Sequence, residues 1–114
     1  VSISNTMLIA ITEASDRVKR DGASLPLEDR LRLSFSVTRH HWLVTNEDER
    51  FKAGVGGVLL SASPDEQTRL AAEMRVLGTL SAAMTGVPIA AGALETGQEP
   101  VGLLRIWKES GGVR

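Results

Sequence analysis

The chain has no cysteine, which excludes disulfides, thiolate metal sites, iron–sulfur clusters and a cysteine nucleophile together. Large rings are almost as scarce: Trp42, Trp107, Phe35 and Phe51 are the whole aromatic set, 4% of the residues. Leu, Val, Ile, Met and Ala must fill most of the interior, and such a core packs closely. An excess of charge of one sign is lacking too, since 13 basic side chains stand against 14 acidic ones for a formal net charge of −1. No global field steers such a chain toward phosphate backbones, and nucleic acid is not the expected partner. Catalytic signatures are missing as well. Gly54-Val55-Gly56-Gly57 is not followed by Gly-Lys-Ser/Thr and lacks the spacing of a dinucleotide fingerprint, and no serine lies in a Gly-x-Ser-x-Gly elbow.

What remains is the composition of one soluble globular domain spanning residues 1–114, with 42% hydrophobic and 24% charged residues. Val1–Gly22 has no basic start followed by a continuous apolar run and a small-residue cleavage site. It therefore does not read as a signal peptide, and a cytoplasmic location is the default expectation. A start at Val1 fits either methionine removal or cutting from a longer precursor. From Val76 to Leu94 no side chain is charged, and Ala, Gly, Ser and Thr dominate. Thr79, Ser81, Thr85, Pro88 and three glycines dilute this run too far for a membrane span, so a buried helix–break–helix or a subunit contact is the expected reading.

The hydrophobic spacing predicts mostly helices. Met7, Ile11, Ala14 and Val18 fall on one face of a segment that opens at Ser4-Asn5-Thr6 and stops at Gly22. In residues 25–44 two periods compete. Leu27, Leu31 and Phe35 recur at helical spacing behind Ser24, Pro26, Glu28 and Asp29, whereas Leu31, Leu33, Phe35 and Val37 alternate as in a strand. The helix is favoured, because a lone strand needs partners. Asn46 caps a further segment with Glu47, Asp48 and Glu49 in its first turn, and Gly54, Gly56 and Gly57 then mark either its end or a close crossing. Ser63-Pro64-Asp65-Glu66 is a capping-box start for a helix reaching toward Gly86. Val101–Lys108 forms a last short helix or an edge strand. The expected architecture is an all-α bundle of four or five helices, the alternative being an α+β domain with strands near 31–38, 55–60 and 101–107.

Two sets of candidate functional residues follow. His40 and His41 are the only histidines, and Glu47, Asp48 and Glu49 lie near enough to add oxygen ligands for a metal or a general base. Adjacent residues point about 100° apart on a helix and to opposite faces on a strand, so both rings do not readily meet one ion. A surface histidine pair beside Arg39 and Trp42 is the plainer reading. The other set is an interface: Ala82, Ala83, Met84, Ile89 and Leu94 in the uncharged segment, with Leu104 and Trp107 near the carboxyl end, where Trp107 is weighed equally as the lid of a small core. The expected function is a non-catalytic protein-interaction or assembly subunit, a homo-oligomer or a small part of a larger complex, with no cofactor. A small enzyme or metal-binding domain built on the histidines is the alternative, and a nucleic-acid-associated helical subunit is a weaker third.

Overall fold

The computed structural model describes residues 5–76 and 102–111 of the chain. Five helices occupy them: α1 (Asn5–Asp21), α2 (Leu27–Arg39), α3 (Glu47–Leu59), α4 (Pro64–Val76) and α5 (Leu103–Glu109). Among the described residues there is no strand, and the architecture is a small helical bundle. Residues 31–38 lie inside α2, 55–59 inside α3 and 103–107 inside α5, so each of the three strand alternatives gives way to a helix. In α2 the four-residue period wins over the alternation. Leu31, Ser34, Phe35 and Thr38 are buried on one face, and Ser34 Oγ donates to the Gly54 carbonyl of α3 at 2.5 Å, so its hydroxyl is satisfied inside the bundle.

Local chemistry sets the helix ends. Asn46 Oδ1 accepts from the backbone N–H groups of Asp48 (2.8 Å) and Glu49 (3.2 Å) at the start of α3. At the start of α4 the capping box is closed in both directions: Glu66 N–H donates to Ser63 Oγ at 3.2 Å, and Ser63 N–H donates to Glu66 Oε1 at 3.0 Å. Pro26 stands one residue before the first residue of α2 and Gly22 one residue after the last of α1. Short connections, 22–26 and 40–46, fold α1, α2 and α3 back on one another, and α3 packs against both of the others.

The glycines of α3 permit that packing. The helix continues through Gly54, Gly56 and Gly57 rather than ending near Ala53. A Cβ on Gly54 would collide with Cδ1 and Cε1 of Phe35; one on Gly57 would sit 2.5 Å from Ser34 Oγ and 2.7 Å from Ala14 Cβ. Each glycine weakens the helix by close to 1 kcal/mol relative to alanine. That cost is offset by the close approach of α1 and α2.

At the centre are three fully buried rings. Phe35 and Phe51 stack with centroids 5.5 Å apart and planes 22° apart, and Trp107 meets them edge-on at 5.1 and 5.6 Å. Val18, Leu31, Val55, Val58, Leu70, Leu103 and Ile106 complete this cluster. Trp107 reaches it from α5, where Leu103, Ile106 and Trp107 form the buried face. Exposed ion pairs hold the other face of α5 to α2: Glu28 to Arg105 at 2.5 Å, and Arg32 to Glu109 at 3.0 Å. Their order along both helices makes α5 parallel to α2. No helix among the described residues is long and apolar enough to cross a membrane.

Candidate functional site

The connection between α2 and α3 holds the least expected side chain of the molecule. Trp42 is 80% exposed, although every other aromatic ring is fully buried. Its neighbours on either side are anchored. His41 is buried, and its backbone N–H donates to the Thr38 carbonyl at 3.2 Å. Leu43 N–H donates to His41 Nδ1 at 3.3 Å, and Val44 N–H donates to the His41 carbonyl at 3.2 Å. Arg50 Nε donates to the Val44 carbonyl at 2.5 Å, which ties the turn to the first turns of α3. Val44 itself packs with Ala10, Ile11 and Ala53, and half-buried Met7 lies against the same cluster. The indole is thus presented by a turn whose backbone is hydrogen-bonded on both sides of it.

The same end of the bundle carries further exposed apolar surface. Val44 and His41 bring the turn against the first half of α1, where Leu8 is 53% and Ile9 44% exposed. Five described large apolar side chains are exposed in all, and three of them, Leu8, Ile9 and Trp42, belong to α1's first half and this turn. Burying apolar side chains of this size normally favours folding by about 1.5–3 kcal/mol each, so a set left in water is available to another surface.

The five residues proposed for metal or acid–base chemistry do not gather. His40 is exposed and His41 is buried. His41 Nδ1 accepts from Leu43, which places the ring proton of the neutral form on Nε2. That Nε2 lies 3.0 Å from Glu13 Oε2, at ion-pair distance without hydrogen-bond alignment. Glu47, Asp48 and Glu49 occupy the first turn of α3, where their charges favour the positive end of the helix dipole, and Asp48 pairs with Lys52 at 2.9 Å. Among the described residues no three His, Asp or Glu side chains are placed to hold one ion. Of the interface candidates, Ala82, Ala83, Met84, Ile89 and Leu94 lie outside the described residues. Leu104 is half-buried against the core, and Trp107 is fully buried within it.

Sequence reasoning did not single out Trp42, which entered it only as a neighbour of the surface histidine pair. A signal was present, however. Trp42 stands after the last helical residue of a periodic segment and before the Asn46 cap, so neither helix offers it a buried face.

No protein-family model matches the chain, and neither does a curated protein or a solved structure.

Proposed function

We propose that the chain is a non-catalytic protein-interaction or assembly subunit that docks through the Trp42 end of the bundle. The exposure of Trp42 on a hydrogen-bonded turn carries this reading. An indole offers large contact area at the cost of only two side-chain torsions, and tryptophan is enriched among the residues that dominate binding energy at interfaces. Because the turn is already held by His41, Val44 and Arg50, little backbone order remains to be lost on contact. Leu8 and Ile9, on the first half of α1, are exposed as well. The uncharged segment with Ala82, Ala83, Met84, Ile89 and Leu94 is a second candidate contact on sequence grounds.

Affinity purification from the source cells with the wild-type chain and with Trp42→Ala tests the proposal. The expected result is at least a tenfold loss of one or more specifically retained proteins, with an unchanged melting temperature. An identical retained set for the two chains would overturn it.

A further inference from the structure

Resting on the docking reading only for its consequence, we infer that His41 is a proton-operated latch on the turn that presents Trp42: the neutral ring closes the turn and the protonated ring releases it. One hydrogen bond spans the tryptophan between its two neighbours, since Leu43 N–H donates to His41 Nδ1 at 3.3 Å. An imidazole nitrogen accepts only while it carries no proton, and the charged ring has an N–H on both nitrogens. Proton uptake therefore leaves a donor facing a donor, and turning the ring over does not restore the bond.

The groups around the ring decide which way the latch moves. From α1, Glu13 Oε2 lies 3.0 Å from Nε2 and attracts a charged ring. That carboxylate is 57% exposed and is not aligned for a hydrogen bond, so water screens it. From α3, Arg50 adds a fixed positive charge to the turn, with its Nε on the Val44 carbonyl. On α2, Arg39 is half-buried against Gly111 and His40 is exposed. The His41 side chain itself is only 2% exposed. A charged imidazole held there would be poorly hydrated and would face the Leu43 N–H, whereas swinging out toward the exposed Glu13 gives it water and the same anion. The movement is local. His41 N–H on the Thr38 carbonyl and Val44 N–H on the His41 carbonyl are backbone bonds that do not use the ring. The helices keep their places, and the segment carrying Trp42 loses its tether. A partner docked on that indole must then order the turn itself, so the proposed contact weakens in acid.

The test is amide hydrogen exchange of the full chain by NMR between pH 7.5 and pH 5.5, the range in which histidine ordinarily takes up its proton, with each rate normalised to the intrinsic rate at that pH. The ring protons of His40 and His41 are titrated in the same samples. The Leu43 amide is expected to lose at least tenfold in protection on acidification, with the midpoint of the His41 ring, while the Phe35 amide inside α2 keeps its protection. His41→Asn retains an acceptor near the Nδ1 position that takes up no proton, and it is expected to remove the response. His40→Asn, at the exposed neighbour, is expected to leave it unchanged. Constant Leu43 protection in the wild-type chain, or a loss that does not follow the His41 ring, overturns the latch. So does a loss that persists in a folded His41→Asn chain. These readouts come from the isolated chain, so a failed latch leaves the docking reading in place. The docking reading falls separately, on an affinity purification that Trp42→Ala does not change.

Discussion

Trp107 and Trp42 are the same side chain in opposite settings. Trp107 lies on α5 with Leu103 and Ile106, three and four residues apart in register, and its ring is wedged edge-on against Phe35 and Phe51 with no exposed surface. Trp42 sits between helices on a turn whose buried anchors are His41 and Val44, and it is 80% exposed. Position relative to the helical period, rather than residue type, separates them. An aromatic residue that shares a stripe with other apolar residues is drawn into the core, whereas one at a helix break stays outside. Stability resides with the first tryptophan, and any contact with a partner is open to the second.

The strongest way to probe the contrast is to remove the inner ring. Trp107→Ala deletes the edge that contacts both phenylalanines and the main anchor of α5, so a loss of about 3–5 kcal/mol is expected from denaturant unfolding. A loss below about 1 kcal/mol would mean that α5 is not part of the cooperative core. Gly54→Ala attacks the same cluster from the other side. The added methyl gains about 1 kcal/mol of helix propensity but collides with Phe35, and a net destabilisation of about 1–3 kcal/mol is expected. A stabilised Gly54→Ala chain would show that α2 can move away from α3 without cost.

The bundle was largely legible in the sequence because its signals are local. Caps at Asn46 and Ser63 and the stripe of Met7, Ile11, Ala14 and Val18 are read within one or two turns, and each lies where the structure has a helix. Gly54 and Gly57 were not decidable, because a glycine that ends a helix and one that admits a neighbour look alike until the neighbour is known. The site was less legible still. Whether an indole is covered depends on which faces α1 and α3 turn toward residues 40–46, and that is a property of packing between segments distant in sequence.

A third change touches neither tryptophan and tests the frame between them. Arg30 grips Glu66 through its two terminal guanidinium nitrogens, with Nη1 3.2 Å from Oε1 and Nη2 on Oε2, and its Nε donates to the Leu25 carbonyl at 3.0 Å. Arg30's hydrogen bonds, followed by the backbone N–H of Ser63, hold the Glu66 carboxyl at about 2, well below its ordinary 4.5. A carboxyl whose pKa is depressed by folding stabilises the folded state above its unfolded value and loses that contribution as pH falls. Glu66 therefore contributes fully above about pH 4.5 and progressively less toward pH 2. Glu66→Gln is expected to cost about 1–2 kcal/mol at pH 7 and to flatten the stability profile across that window, which denaturant midpoints at pH 6 and pH 3 would read. An unchanged slope would remove Glu66 from the acid response.

Trp42→Ala should have the smallest effect on folding and so marks the contrast most sharply. The indole is largely in water, and the hydrogen bonds of its turn belong to the backbone, His41 and Arg50, all of which alanine leaves in place. A shift within about 0.5 kcal/mol is expected from denaturant unfolding at low protein concentration, where association contributes nothing. Removing an exposed fluorophore should also move the emission maximum toward the blue, because the remaining Trp107 is fully buried. A loss above about 1.5 kcal/mol would place Trp42 in the fold's own packing, and the reason for treating its exposure as a contact surface would disappear with it.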